Sequence, residues 1–152
     1  MKYRVADVLE LARLAREQGE RLDLRGCNLS GLGLFKADLA GADLRQADLT
    51  NTNLTGSDLT GADLSGATLA GAGLTGARLR TANLSQANLF GATLRHANLQ
   101  DADLRNTQLP GADLSHADLS GADLHGARYD KYTRWPLTFD PKAAGAVFAV
   151  SV

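Results

Sequence analysis

Apolar and polar residues recur along this chain with a period of five. Leucine stands at every fifth position from Leu24 to Leu124, 21 times in succession. Two residues before each leucine position lies a small residue, alanine in 16 of the 22 cases between Leu22 and Ala127. The residue between them is Asp or Asn in 15 of 22 cases, and glycine follows two residues after the leucine position in 12 of 22. On an α-helix a five-residue step turns the side chain by about 140°, so the leucines would spiral and form no stripe. On a flat strand an odd step flips each leucine to the opposite face. All the leucines meet in one interior only if the chain makes a short extended segment, turns a corner and repeats. Ala and Leu, two apart, then point inward together. Asp and Asn face outward, where their side chains can bond the local backbone. Glycine near the corner permits a left-handed turn residue. The pattern predicts a β-solenoid.

Outside the repeat the pattern changes. Residues 5–18 place Val5, Val8, Leu9, Ala12 and Ala15 on one side of a predicted amphipathic helix, stopped by Gly19. A solenoid end exposes apolar core and unpaired backbone, so this helix is expected to be a lid on Leu22, Leu24 and Leu32. At the other end "ARYDKYTRWPLTFDP" gathers aromatic residues that the repeats almost lack. Tyr129, Tyr132 and Trp135 are expected to close the last coil. The organisation is then a capping helix over 1–21, a repeat body over 22–131, and a cap with an apolar tail, "AAGAVFAVSV", over 132–152.

The stretches "ADLSG", "ADLAG" and "ANLSQ" resemble the A(D/N)LXX motif of pentapeptide repeat proteins, and the resemblance covers residues 22 to about 131. The Trp-Pro and Phe-Asp-Pro ending is similar to that of members common in photosynthetic bacteria. The fold this implies is an all-β solenoid: a right-handed quadrilateral β-helix with four pentapeptides, hence 20 residues, per coil. At about 4.8 Å per coil, about five coils make a rod roughly 25 Å long. Its structural core would be the stacked leucines, with Leu24, Leu44, Leu64, Leu84, Leu104 and Leu124 along one side. Leu22, Cys27 and Leu32 replace alanine in the first coil and point to a wider interior there. Thr52, Ser57 and Thr107 turn hydroxyls inward, where each needs a backbone partner.

Composition narrows the chemistry. The 152 residues carry a net charge of −1 and only 5% aromatic residues, which gives no reason to expect strong attraction to nucleic acid or anionic membrane. No apolar run reaches the length of a spanning helix. The N-terminus mixes charges among its apolar positions and does not read as a secretory signal. With one cysteine, Cys27, the chain fits a reducing cytoplasm. Cys27 occupies an inward position and is expected to be structural. No phosphate loop, HExxH or CxxC motif is present. No catalytic residue, cofactor or metal is expected, and the chain is expected not to be an enzyme.

With 20 residues per coil, Asp23, Asp43, Asp63, Asn83, Asp103 and Asp123 stack as an acidic ladder. Arg25, Arg45, Ser65, Ser85, Arg105 and His125 run beside it. Some members of the family resemble B-DNA and protect type II topoisomerases. From Leu22 to Ala127 the repeats hold 11 acidic and 7 basic residues, net −4, which is mild for such a mimic. His96 and His116 share a column, with Asp118 close by; two exposed histidines stacked by the repeat are the expected reading. Ala70, Phe90 and Pro110 share another, and Phe90 is the candidate partner contact. The expected function is a protein-interaction or structural module with a protein partner. Direct nucleic-acid binding and membrane insertion are not expected. A gyrase-binding DNA mimic is the alternative. A monomer is expected, with a dimer through the C-terminal tail as the alternative.

Overall fold

The computed structural model describes residues 2–150. The repeat forms four ladders of parallel bridges in which each partner lies 20 residues further on. Asp23 pairs with Asp43, Asn28 with Asp48, Gly33 with Asn53 and Asp38 with Asp58, and each ladder continues upward in the same step. The hydrogen bonds repeat as regularly. The Leu64 N–H donates to Asn83 O at 2.7 Å, and the Asp63 N–H donates down to Ala42 O at 2.9 Å. Each corner closes within itself, as where the Ala67 N–H donates to Leu64 O at 3.0 Å. The backbone polar groups of a thin rod are thereby paired although each extended segment from 23 to 123 makes only single-residue bridges.

The leucines fill the interior. Those from Leu24 to Leu114 are at most 1% exposed, and the inward alanines from Ala42 to Ala112 match them. The outward Asp and Asn residues stabilise the corners: in every repeat that has one, from Asp23 to Asp123, its Oδ1 accepts the backbone N–H two residues on. The residue after that N–H has positive φ. Gly66, at +66°, takes this left-handed conformation without a Cβ, and the flexible end of the Gln46 side chain from the coil below fills the space, its Nε2 2.0 Å from where a Cβ would lie. Thr81 holds the same conformation, at +58°, against the preference of a β-branched side chain.

The three inward hydroxyls divide. Thr52 donates to Leu29 O and Thr107 to Leu104 O, both at 2.9 Å. Ser57 Oγ, equally buried, has no partner, contrary to the expectation that each would find one. Ser57→Ala should therefore raise stability by about 1 kcal/mol, since it removes a desolvated hydroxyl that returns nothing. Urea unfolding of the variant checks this, and a lower midpoint would mean that the hydroxyl is bonded.

The helix α1, Val5–Gln18, occupies the expected residues. Asp7 accepts the Arg4 backbone N–H at 3.0 Å and places a carboxylate at the positive helix end. Gly19, φ 66°, ends the helix, and the Glu20 N–H turns back to Ala15 O at 2.8 Å. Fourteen residues are too few for a stable isolated helix, so its folding depends on burial of Val8 and Ala12, with Val5 and Ala15 beside them. Leu9 does not join that side: it is 45% exposed, because the coil beneath is narrower than the apolar stripe. The bulk of Leu22, Cys27 and Leu32 belongs to this closure. They share the apolar cluster of Val8 and Ala12, and Cys27 and Leu32 stay only partly buried. They stand at the end of the rod that the helix covers. Lys2 bridges to Asn28 and extends one ladder downward.

At the C-terminal end β1, Arg128–Tyr129, pairs in parallel with β2, Val147–Phe148. The tail thus packs on its own coil. Tyr129 is buried and meets Trp135 and Phe148 edge-on at 5.5 and 5.4 Å, and Trp135 stacks on Phe139 at 5.2 Å. Tyr132 takes no part. It is 64% exposed, because the register slips by one residue: Asp113 pairs with Arg134, 21 positions on. Thr133 then takes the inward alanine position and Trp135 that of leucine.

Candidate interaction surface

The rod has three outward features that the sequence singled out, and the structure arranges each differently. The acidic ladder is interleaved with base. Arg25 donates to both oxygens of Asp23 at 2.9 and 2.7 Å, Arg45 to those of Asp43 at 2.8 and 2.6 Å, and Arg105 to those of Asp103 at 2.9 and 2.6 Å. The guanidinium of Arg25 holds the Asp23 carboxyl down to about 2. Arg45 likewise lowers Asp43, against the burial that opposes it. Arg105 lowers Asp103 in the same way. Asp123 is held down by the backbone N–H of His125 and by its ring. Asp63 has Arg45 at 3.9 Å. Each arginine also leans toward the carboxylate one coil up, as Arg25 does to Asp43 at 3.7 Å. The column presents alternating charge.

The second feature is apolar. Phe90 stands 60% exposed between the half-buried Ala70 and Pro110. At its corner the Phe90 N–H donates to Asn88 Oδ1 at 3.0 Å. Phe35 is a second exposed ring, with Lys36 Nζ 5.0 Å from its centre. Its column holds threonines and an arginine, so nothing in the repeat marked it. The third is the His96–His116 pair, whose rings stack 4.8 Å apart and within 6° of parallel. Asp118 beside them is bonded to Ser120 and Gln100. Among the described residues no group of three His, Cys, Asp or Glu is placed to hold a metal ion. No helix among them is long and apolar enough to cross a membrane.

Known proteins match this architecture. The pentapeptide repeat family model matches residues 20–51, 47–86 and 87–126. A pentapeptide repeat protein from the thylakoid lumen of Arabidopsis thaliana is 30% identical, with a TM-score of 0.50 over 72% of this chain; the chain spans 66% of that protein's length. A pentapeptide repeat protein from the cyanobacterium Cyanothece is also 30% identical, covering 86% of this chain and 98% of its own, with a TM-score of 0.49. One from Nostoc is 35% identical over 93% of this chain and 95% of its own, with a TM-score of 0.38. Among curated proteins no sequence matches significantly. The lumenal relative overturns the cytoplasmic location read from Cys27 and the N-terminal charges. One half-buried thiol is compatible with either compartment and does not discriminate between them. The 20-residue ladders, the leucine core and the matched repeats agree: the chain belongs to the pentapeptide repeat family and folds as its right-handed quadrilateral β-helix.

Proposed function

We propose that the protein is a non-enzymatic module that works by presenting a rigid flank to a protein partner, with residues 22–131 as the working body and 1–21 and 132–152 as its covers. The observation that carries this is Phe90. The rod buries its leucines almost completely and pairs the carboxylates of Asp23, Asp43 and Asp103 with arginines, yet it holds the Phe90 ring out at its corner, as it does Phe35 in another column. Among the described residues no three His, Cys, Asp or Glu side chains converge on a metal position along the flanks. The exposed Val147 and Phe148 support a second contact, with another copy through the tail.

The DNA-mimic alternative is disfavoured on charge density. B-DNA carries one negative charge per about 1.7 Å, so a rod of roughly 25 Å would need about 15. The repeats from Leu22 to Ala127 carry a net −4, and the ladder itself is paired with arginine.

The test is capture of partners from the source cells by the wild-type protein and by Phe90→Ser. The variant should fold with stability within about 0.5 kcal/mol of wild type, as a surface change does, and should lose the captured protein. Equal capture by both proteins would remove Phe90 from the interface.

A further inference from the structure

The four ladders do not end alike. The ladder of Asn28 runs through Gln108 to Arg128 and on to Val147. That of Gly33 ends above Asp113 at Arg134. Above the ladder that ends at Asp123, the Gly126 N–H donates to Gly145 O at 3.0 Å and Leu124 stays buried. The fourth ladder, Asp38–Asp58–Arg78–Asn98–Asp118, has no bridge above Asp118 among the described residues.

One coil below the stop, the Leu99 N–H donates to Asp118 O, the Asp101 N–H to Ser120 O, and Ala97 O accepts from the Asp118 N–H, at 2.8, 2.9 and 2.9 Å. The equivalent groups of the last coil are the N–H of Leu119, the N–H of Gly121 and the C=O of Ala117. Among the described residues these have no partner. Ala117 and Leu119 are 8% and 7% exposed, against 1% and 0% for Ala97 and Leu99. A groove of about 500 Å³ lies over them, walled on one side by Pro136, Thr138 and Phe139.

We propose that this edge takes an extended segment of a partner protein as one more parallel strand, and that the segment carries a small–basic–apolar triplet. The proposal rests on the protein-interaction reading above and places a further contact at the end of the rod. An open edge of this kind pairs with extended backbone. A strand in the ladder's register would accept from Leu119 and Gly121 and donate to Ala117. Its first and third side chains would point into the groove above Ala117 and Leu119. Its middle residue would stand over Asp118. The same column shows what belongs there: Arg78, one coil above Asp58, places Nη2 3.1 Å from the Asp58 carboxylate. The chain's own Ala77-Arg78-Leu79 is such a triplet.

The probe is a fluorescent peptide of residues 76–81, added to the full-length protein. Its anisotropy should rise to saturation, and the Arg78→Asp peptide should bind at least tenfold more weakly. On binding, amide exchange should slow at Leu119 and Gly121 and stay unchanged in the first coil. Asp118→Arg in the protein should reverse the preference between the two peptides. Asp118 also holds the Ser120 N–H, so Ala117→Lys provides a second variant that fills the groove and should abolish binding of both. No saturation at millimolar peptide overturns the proposal, as does binding without protection of Leu119 and Gly121. Either result leaves the Phe90 interface standing. Peptide binding at the edge together with undiminished capture by Phe90→Ser supports the end and rejects the flank.

Discussion

Leu64→Asp is expected to abolish the single cooperative unfolding transition of the rod at neutral pH. Leu64 is 0% exposed and lies mid-rod, with Leu44 in the coil below and Leu84 in the coil above. Truncating a buried leucine costs about 2–5 kcal/mol through lost transfer energy and the cavity left behind. The carboxylate adds several kcal/mol more, because the interior around it offers no counter-charge. Every main-chain N–H around it already serves a ladder or a corner. The sum is comparable with the whole stability of a small domain, about 5–15 kcal/mol. Each coil touches only its neighbours, so a broken coil also uncouples the two halves. Circular dichroism during heating is the measurement. The same substitution at Leu119 is the control: at the open rim the carboxylate can reach water, so Leu119→Asp should retain a transition. Equal melting of wild type and Leu64→Asp would reject the leucine interior.

How much could be read in advance follows from where the information lies. The leucine period needs no partner to be understood, because an odd step that keeps one side chain inside already demands corners. Asp and Asn act on their own backbone two residues away, so their role was local and legible. The helix was legible for the same reason, with Asp7 at its start, Gly19 at its end and Val8 and Ala12 between. What depended on coil stacking was not. Leu9 lies on the apolar side of the helix by period, but the width of the coil decides what is covered. Ser57 and Thr52 occupy the same place in the motif, and only the neighbouring coil decides which hydroxyl finds a carbonyl. Phe35 and Phe90 both fall outward by phase, whereas the open edge at Asp118 depends on where the chain goes after Pro136. The least legible feature was the end of the repeat. Arg134 reads as a break in the period. In space it continues the ladder one residue late.

That late step depends on Asp130, and removing this carboxylate is the other large effect expected. Its Oδ1 accepts the N–H groups of Gly111, Tyr132 and Thr133 at 3.0, 2.9 and 3.1 Å. One coil below, the Gly91 N–H donates to the main-chain carbonyl of Pro110. At Gly111 the aspartate replaces that carbonyl, and so absorbs the extra residue between Tyr129 and Arg134. The Thr133 hydroxyl, which donates to Leu109 O at 2.8 Å and accepts from the Asp130 N–H at 3.1 Å, fixes the turn from within. Asp130→Ala orphans three N–H groups in a buried corner and should cost about 3 kcal/mol. The loss should appear first as fraying of the Tyr129–Trp135–Phe148 cluster. Burial pushes the Asp130 carboxyl up, but the three N–H groups and the threonine outweigh it and hold it below the usual carboxylate range. A group lowered in the folded state stabilises fully above its unfolded value, about 3.9, and loses that contribution as pH falls through the folded one. Asp130→Asn keeps an acceptor oxygen and removes the charge, so it should cost about 1 kcal/mol at pH 7. The gap between wild type and Asp130→Asn should then narrow from pH 5 to pH 2, measured by urea unfolding at each pH. Other carboxylates that titrate over the same range, Asp43 and Asp103 among them, are common to both proteins and cancel in the difference. A gap that stays constant across that range would show that the charge of Asp130 contributes nothing, and that the corner needs only an oxygen in that place.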